Sequence, residues 1–396
     1  QVHTVSEPEG YSKAAAQKIL QQYEKQAVSI GQEQSPNLIM IMNEAFSDLR
    51  VWGDFQTNQA VMPFWDSLQQ NTVKGFAQSS VYGGYTANSE FEFLTGCTKA
   101  FLPGNPYLEY IHTKTPSLLW DMKNRQGSFI YAMHPYNASG YNRNRVYPLI
   151  GVDSFVTKEE FVGAKKVRGL ISDEADYDKM IDLYEQQKGN KPFVMFNVTM
   201  QNHSPFDAAG VSKDIKLGYN INAPQAVQYL NMLRKSDDAL KELVTYFKNV
   251  KEPTLIIFFG DHEPKIEESF YEEIEKDYKL DEIYENLMKR NTQFVIWANY
   301  DMKSDNNMYI SANRMSSLVL ETAGLAQNGY QQFVSEFSKK VPIITKKGYI
   351  GEDGNFYKTG DKTSPYYEWI HNYDIIQYNN IFDTKNRVQD LYKIAQ

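Results

Sequence analysis

Five short, continuous runs of apolar residues constrain the fold of this chain more than any other feature of its sequence. The runs cover residues 38–42, 129–133, 193–198, 255–259 and 294–297. Because the apolar residues do not alternate with polar ones, each run is predicted to be a strand buried on both faces of a sheet. Longer segments with apolar residues at helical spacing separate the runs. This alternation predicts an α/β fold with a mostly parallel central sheet flanked by helices.

The organisation of the chain changes on both sides of this region. Residues 12–30 are predicted to form a polar helix, and a helix over 311–324 precedes a hairpin that turns at Asp353-Gly354. A single hydrophobic core rarely grows beyond about 250–300 residues, and the chain has 396. We therefore predict a helical connector over 1–35, an α/β domain over 36–299 and a small α+β subdomain over 300–396.

Composition narrows the classes of partner that the chain can have. It contains 41 basic and 49 acidic residues, and the resulting net charge of −8 argues against nucleic-acid binding. The sequence has no run of about 18 apolar residues, so no segment is predicted to cross a bilayer. Its single cysteine, Cys97, has no second cysteine for a disulfide or a thiolate metal site.

Titratable residues follow four of the five apolar runs at the point where each predicted strand ends. Glu44 follows the first run, His134 the second, His203 the third, and Asp261 with His262 the fourth. In open α/β sheets, ligands bind beyond the carboxyl ends of the strands. The sequence therefore predicts a functional site at this edge of the sheet.

Glu44, Asp261 and His262 form a mixed oxygen and nitrogen donor set for a divalent ion. Carboxylates with one imidazole suit Mn²⁺ or Mg²⁺ better than a metal that prefers thiolates. An alternative is that Asp261 and His262 cap a helix that begins near Glu267, while Glu44 is solvated. The sequence leaves both interpretations open.

The segment Gly83-Gly84-Tyr85-Thr86 precedes a predicted helix and is a candidate phosphate site. The glycines permit a tight turn, and Thr86 is predicted to be the N-cap of the helix. A hydroxyl group there faces backbone N–H groups and the positive end of the helix dipole, which favours phosphate. Threonine becomes a nucleophile only when a metal or a base activates it, so an ordinary N-cap remains the alternative.

An aromatic and basic cluster lies on a long predicted loop after His134 and contains Tyr136, Tyr141 and Arg143. The guanidinium of Arg143 can bind a phosphate in bidentate fashion, with His134 as a second donor. The alternative interpretation is a surface salt bridge.

In this order, these residues resemble the extracellular catalytic domain of the lipoteichoic acid synthase family, within the alkaline phosphatase and sulfatase superfamily. The resemblance covers roughly residues 36–385. Within the family, the sequence is also similar to the streptococcal branch, of GacH type, that adds glycerol phosphate to a wall polysaccharide. The motifs that carry it are Glu44, Gly84-Tyr85-Thr86-Ala87-Asn88-Ser89-Glu90-Phe91, the loop from His134 to Arg143, His203, and Gly260-Asp261-His262.

The resemblance implies a sulfatase-like fold and a location outside the cell. Members of the family are multi-pass membrane proteins whose C-terminal domain faces the exterior. The chain is therefore expected to be the soluble domain of such a protein, at the extracellular face of a Gram-positive plasma membrane.

The resemblance also implies roles for individual residues. Glu44, Thr86, Asp261 and His262 match the ligands of one Mn²⁺, and Thr86 matches the nucleophile. His203 matches a histidine beside the scissile phosphate, where it is the candidate acid for the leaving alkoxide and base for the incoming hydroxyl.

Four further residues match the family's substrate pocket or depart from it. His134 and Arg143 match residues that hold glycerol phosphate. Tyr136 stands where synthases have Asp, and Tyr141 stands where they have Trp. These two departures leave the chemistry intact but put the contacts to the acceptor and the polyol in doubt.

The implied function is transfer of glycerol phosphate from phosphatidylglycerol to a cell-surface polysaccharide or glycolipid, through a covalent phospho-threonine at a Mn²⁺ or Mg²⁺ site. Two alternatives stay open: a metal-dependent phosphodiesterase that uses water as acceptor, and a non-catalytic wall-binding pseudoenzyme. A sulfatase activity is disfavoured because Cys97 is followed by Thr98-Lys99-Ala100 and not by the Pro and Arg of the formylglycine signature.

Overall fold

The structure is a computed structural model that describes residues 3–24, 35–218, 221–276 and 281–392. The N-terminal helix predicted over 12–30 is present over Lys13–Glu24. The rest of that prediction, residues 25–30, lies outside the described residues. Among the described residues, no helix has both the length and the apolar character that crossing a membrane requires.

The strands divide into a large central sheet and small antiparallel pairings. They are β1 (Asn37–Asn43), β2 (Thr72–Gln78), β3 (Ile130–Met133), β4 (Ser154–Val156), β5 (Lys166–Val167), β6 (Leu170–Ile171), β7 (Val194–Val198), β8 (Thr254–Gly260), β9 (Asn291–Ala298), β10 (Asp305–Ser311), β11 (Ile343–Ile344), β12 (Gly348–Ile350) and β13 (Phe356–Lys358). Within the described parts of the chain, eight of these form the central sheet in the order β10-β2-β9-β8-β1-β7-β3-β4.

The predicted mostly parallel sheet is confirmed, with one correction. The five apolar runs are β1, β3, β7, β8 and β9, but β9 pairs antiparallel with both β8 and β2. Its carboxyl end therefore lies at the opposite edge of the sheet, which explains why no titratable residue follows it at the predicted site. All other pairings within this sheet are parallel among the described strands, so their carboxyl ends share one edge.

The strands β2, β4 and β10 were not predicted, because they lack a continuous apolar run. The edge strand β10 is polar and partly exposed, as an edge strand can be. It lies very close to β2 at Gly75, where a Cβ atom would stand 1.9 Å from the backbone oxygen of Met308. Glycine at this position is what permits the two strands to pair.

Helices cover both faces of the sheet. They are α1 (Lys13–Glu24), α2 (Pro63–Ser67), α3 (Thr86–Thr95), α4 (Pro106–Glu109), α5 (Leu118–Gln126), α6 (Arg143–Leu149), α7 (Asp173–Gln187), α8 (Pro224–Lys248), α9 (Glu268–Glu275), α10 (Glu282–Met288), α11 (Met315–Thr322), α12 (Gly329–Lys340) and α13 (Tyr367–Ile381). Alternate residues of β1 enter different cores: Met40 packs on the face covered by α3, α5 and α11–α13, and Ile41 on the face covered by α7, α8 and α9.

The C-terminal part of the chain forms a small antiparallel sheet of β11, β12 and β13. The predicted hairpin is present, and Gly354 has a φ of +78° in its turn. Since β10 belongs to the central sheet, residues after 299 contribute to both sheets. The division into units at 299/300 stays a prediction.

Candidate active site

Three buried side chains converge at the carboxyl ends of β1 and β8. Glu44 directly follows β1, while Asp261 and His262 directly follow β8. One potential ligand atom from each lies within 4.8 Å of the other two. The Nε2 atom of His262 is 3.3 Å from Oε1 of Glu44 and 3.2 Å from Oδ2 of Asp261. The structure places these three residues together at the carboxyl edge of the sheet, as the sequence predicts.

Backbone hydrogen bonds fix the orientation of this cluster. The backbone N–H groups of Ala45 and His262 donate to Oδ1 of Asp261 at 2.8 and 2.9 Å. The Nδ1–H group of His262 donates to the backbone oxygen of Glu263 at 2.9 Å, which turns Nε2 toward the two carboxylates. At Gly260, a Cβ atom would stand 1.8 Å from the backbone oxygen of Phe46, so only glycine can precede Asp261 here.

The three groups shift one another's pKa values. Burial raises the pKa of Asp261, and the charge of Glu44 adds to this effect, giving about 7. Burial alone would lower the pKa of His262, but the charges of Asp261 and Glu44 raise it to about 10. Burial opposes ionisation of Glu44 too, yet its contact with His262 lowers its pKa to about 2.

The cluster fits a divalent cation on its donor atoms. Oδ2 of Asp261 and Nε2 of His262 are buried and 3.2 Å apart, but in the part of the chain that the structure describes neither makes a hydrogen bond of good geometry, with each other or with another group. Such atoms are costly to leave unsatisfied, and a cation between them would satisfy both. Oxygen-rich donors with one imidazole suit Mn²⁺ or Mg²⁺. The same two residues do not cap α9, which begins at Glu268 without a side-chain cap.

Thr86 lies beside this cluster at the start of α3. Its hydroxyl donates to Oε2 of Glu44 at 3.4 Å, and the residue is 7% exposed. The prediction that Thr86 is the N-cap is wrong, because Tyr85 occupies that position with a φ of +64° and Thr86 is the first helical residue. Since it does not cap the helix, the Thr86 hydroxyl is directed to the carboxylates and not to backbone N–H groups.

Two serines attach α3 and the preceding segment to the cluster. The hydroxyl groups of Ser79 and Ser89 donate to the backbone oxygen of Asp261 at 2.8 and 2.7 Å. Helix α3 is buried along its whole length. The position of Thr86 relative to Asp261 is therefore held by packing and by two direct hydrogen bonds.

His134 and His203 lie near the cluster, at the ends of β3 and β7. His134 is buried, and its Nδ1 group donates to the backbone oxygen of Val198 at 2.8 Å. Burial and the charge of Arg143 lower the pKa of His134 to about 3, so this imidazole is neutral. Because its one proton is on Nδ1, Nε2 can accept but not donate a hydrogen bond, and the expectation that His134 is a second donor to phosphate does not fit this geometry. His203 is exposed, with Nδ1 donating to the backbone oxygen of Ser204 at 2.7 Å, which leaves Nε2 available to a substrate.

Arg143 is the first residue of α6 and forms a buried ion pair. Its Nε and Nη2 groups both donate to Oε1 of Glu90, the former at 2.8 Å. Tyr147 donates to the other oxygen of Glu90 at 2.9 Å. The alternative of a surface salt bridge is therefore wrong: Arg143 is 3% exposed and Glu90 is 0% exposed. The predicted long loop also ends earlier than expected, at this helix.

The two pocket tyrosines adjoin these groups. The ring of Tyr141 lies 5.3 Å from the guanidinium carbon of Arg143, a distance at which a cation is attracted to a ring face. The ring centroid of Tyr136 lies 6.2 Å from that of His134, and Tyr136 is 43% exposed. The structure thus brings all predicted site residues to one edge of the sheet.

Sequence reasoning missed a buried polar network behind the site. Asn43 and Ser236 donate to Oδ2 of Asp173 at 2.8 and 2.6 Å, and Asn202 donates to Ser236 at 2.8 Å. Because Asn43 precedes Glu44 in the chain, this network fixes the end of β1. Its members are far apart in sequence, and none belongs to a local motif.

The comparisons with known proteins agree with this architecture. A family model described as Sulfatase matches residues 36–325. A putative cyclic beta-1,2-glucan modification protein of Rhizobium meliloti (strain 1021) is 27% identical over 373 residues, which cover 90% of this chain and 56% of that protein. Lipoteichoic acid synthase of Staphylococcus saprophyticus is 24% identical over 239 residues, covering 59% of this chain and 36% of the synthase. The chain thus spans about half the length of the curated relatives that it matches, or less.

Two solved structures share the fold over nearly the whole chain. Streptococcus pyogenes phosphoglycerol transferase GacH, in complex with sn-glycerol-1-phosphate, superposes with a TM-score of 0.82 and 22% identity, covering 99% of this chain and 100% of the other. The lipoteichoic acid synthase LtaP of Listeria monocytogenes superposes with a TM-score of 0.68 and 19% identity, covering 97% and 100%.

Proposed function

Because the chain belongs to the sulfatase family, we propose that it is a metal-dependent phosphoglycerol transferase with Thr86 as its nucleophile. The observation that carries this proposal is the position of the Thr86 hydroxyl, 3.4 Å from Glu44 in a buried cluster with Asp261 and His262. A threonine in this position has a place for a cation next to its oxygen, and such a cation would activate its hydroxyl group.

The ligands of the cation are proposed to be Glu44, Asp261, His262 and the Thr86 oxygen, and the ion to be Mn²⁺, with Mg²⁺ as an alternative. When bound, such an ion supplies positive charge that lowers the pKa of the Thr86 hydroxyl and stabilises charge on phosphate oxygens. The N-terminus of α3 adds backbone N–H groups next to the same oxygens.

In the first step, Thr86 Oγ1 forms a bond to phosphorus, and the ester bond between phosphorus and the diacylglycerol oxygen breaks. The proton of Thr86 is released to water, because Glu44, with a pKa of about 2, is too weak a base to hold it. His203 donates a proton to the leaving oxygen, so diacylglycerol departs as a neutral alcohol. Glycerol phosphate remains attached to Thr86.

In the second step, a hydroxyl group of the acceptor attacks the same phosphorus in line with the Thr86 oxygen. His203 accepts the proton of that hydroxyl, and the bond between phosphorus and Thr86 Oγ1 breaks. Thr86 regains its proton from water, as His203 has regained its own from the acceptor. Both residues are then in their starting protonation states.

Arg143 and His134 are proposed to hold the glycerol phosphate during both steps. Glu90 engages Nε and Nη2 of Arg143, so Nη1 is the group directed to a phosphate oxygen. His134 presents a neutral ring whose Nδ1–H is already bonded to Val198, so its Nε2 would accept a hydrogen bond from a hydroxyl group of the glycerol. Tyr136 and Tyr141 provide aromatic surface and hydroxyl groups for the glycerol or the acceptor.

Phosphatidylglycerol is the proposed donor, and a cell-surface polysaccharide or glycolipid is the proposed acceptor. The similar proteins support this choice, since they include a phosphoglycerol transferase and lipoteichoic acid synthases. We further propose that the chain is the extracellular domain of a multi-pass membrane protein, with units at 1–35, 36–299 and 300–396.

The test is diacylglycerol release from phosphatidylglycerol in the presence of Mn²⁺, comparing wild type with Thr86→Ala. A matched control is Thr245→Ala, because Thr245 is exposed on α8 and its hydroxyl group bonds only the backbone oxygen of Lys241 in the described structure. We expect Thr86→Ala to lose release almost completely and Thr245→Ala to retain it. Substantial release by Thr86→Ala would exclude Thr86 as the nucleophile.

A further inference from the structure

A separate cavity lies at the same edge of the sheet as the candidate active site. It has a volume of about 480 Å³, which is within the range of small-molecule sites. Residues 78–80, at the carboxyl end of β2, form one wall. Helix α10 and the C-terminal antiparallel sheet form the facing walls through residues such as Ile283 and Phe356.

One short segment separates this cavity from the catalytic cluster. Ser79 lines the cavity, and its hydroxyl donates to the backbone oxygen of Asp261 at 2.8 Å. The chain then continues through the turn at residues 83–85 to Thr86. The two sites are therefore neighbours that do not share the side chains proposed for the chemistry.

The cavity is predominantly cationic. Among the described lining residues, carboxylates come from Glu92 and Glu282 only. The cationic side chains are Lys99, Arg290, Lys346, Lys347 and Lys358.

Arg290 is the cation best placed to bind a ligand. It is half-buried, and its Nη1 group donates to the backbone oxygen of Asn286 at 3.1 Å. In the part of the chain that the structure describes, no carboxylate pairs with it. A half-buried guanidinium without a carboxylate has unused donors that suit a phosphate or another oxyanion.

The remaining surface of the cavity is apolar. Leu102, Pro103, Ile344 and Phe356 line it, and Ile283 lines it while 41% exposed. Covering such surface with the apolar part of a ligand removes it from water and is favourable. The acidic residue deepest in this site, Glu92, has a pKa that burial raises to about 7, so it opposes an anion less than a surface carboxylate would.

We propose that this cavity binds an amphipathic phosphate, in which a phosphate headgroup carries one apolar chain. The phosphate headgroup lies against Arg290 and the lysines, and the apolar chain of the ligand lies between Ile283 and Phe356. Neither an inorganic anion nor a neutral lipid satisfies both halves of the lining. The inference does not depend on the proposed reaction, since binding is measured without turnover.

The test is calorimetric titration of the protein with dodecyl phosphate below its micelle concentration. Two comparison probes are used. Inorganic phosphate lacks the apolar chain, and dodecyl maltoside lacks the charge. We expect saturable binding of dodecyl phosphate. Dodecyl maltoside should bind at least about tenfold more weakly because it lacks the hydrogen bonds of a charged group, and inorganic phosphate at least about tenfold more weakly because it buries no apolar surface. Equal binding of either comparison probe overturns the proposal.

Two variants locate the site, each with a neighbouring control. Arg290→Gln is compared with Lys289→Gln, because Lys289 pairs with Glu285 at 2.7 Å and does not line the cavity. Ile283→Ser is compared with Tyr284→Ser, because Tyr284 is 51% exposed on the same helix and does not line it either.

We expect Arg290→Gln to weaken dodecyl phosphate binding by about tenfold and Ile283→Ser to weaken it severalfold, while both controls bind as wild type does. Ile283 is exposed, so its replacement leaves the fold intact and keeps the test valid if Arg290→Gln unfolds. Unchanged binding in Ile283→Ser would show that the apolar chain of dodecyl phosphate does not lie in this cavity, and it overturns the proposal.

Discussion

The buried ion pair between Glu90 and Arg143 is expected to couple stability to substrate binding, and Glu90→Gln is the change that tests it. The carboxylate of Glu90 is fully buried, binds Nε and Nη2 of Arg143, and accepts from Tyr147 at 2.9 Å. Glutamine has nearly the same shape but no charge, so the Arg143 guanidinium would stay buried without a counter-charge. Removing one partner of a buried pair costs about 3–5 kcal/mol.

We expect a loss of about 3 kcal/mol in the free energy of unfolding, because glutamine retains an acceptor for one donor of Arg143. Urea denaturation followed by far-UV circular dichroism measures it. A matched control is Glu336→Gln, which removes an exposed partner of Lys339 at 2.9 Å. This control should change the free energy of unfolding by less than about 1 kcal/mol.

A second variant separates the charge effect from lost packing. Combining Glu90→Gln with Arg143→Met removes the uncompensated charge, and apolar replacement of a buried pair is often neutral. We expect the double variant to recover most of the lost stability while KM for phosphatidylglycerol rises. A loss below about 1 kcal/mol in Glu90→Gln, or no recovery in the double variant, would refute the reasoning.

Two further predictions concern the metal and pH. Mn²⁺ at a hundredfold excess over its Kd should raise the free energy of unfolding by about 2.7 kcal/mol, measured by thermal unfolding with and without a chelator. Asp261→Asn should abolish that gain, and an undiminished gain would place the ion elsewhere. Because burial raises the pKa of Glu92 to about 7, the native state binds a proton that the unfolded state releases near pH 4.5. The contribution of Glu92 to the free energy of unfolding is therefore fully present below about pH 4.5 and is lost as the pH rises to 7. Glu92→Gln should show a shallower fall in stability between pH 5 and 8 than wild type, by up to about 3 kcal/mol, and parallel curves in urea denaturation would contradict this.

Much of the candidate site could be predicted from sequence because Glu44, His134, Asp261 and His262 follow strands directly, and His203 lies in the loop after another strand. The apolar runs locate β1, β3, β7 and β8, and parallel strands bring their carboxyl ends to one edge. Glu44, His134 and His203 are placed by that rule alone. The direction of β9 could not be predicted, because a buried apolar run has the same pattern in either orientation.

Other features depend on contacts that no local pattern encodes. Glu90 lies one helical turn after Thr86, but its partner Arg143 is 53 residues away. The cap of α3 is displaced by one residue because Tyr85 adopts a left-handed conformation, which sequence seldom signals for a non-glycine residue. The edge strand β10 is polar and has no apolar run, so the sequence alone does not show that it pairs with β2 at Gly75.

The central claim is that Thr86 carries the glycerol phosphate between donor and acceptor. The most direct test is the intact mass of the protein after incubation with Mn²⁺ and phosphatidylglycerol, without acceptor, for wild type and Thr86→Ala. The account predicts one added glycerol phosphate on wild type, mapped to Thr86 by peptide fragmentation, and none on the variant. An adduct on Thr86→Ala, or diacylglycerol release by wild type with no adduct at any time, would contradict it.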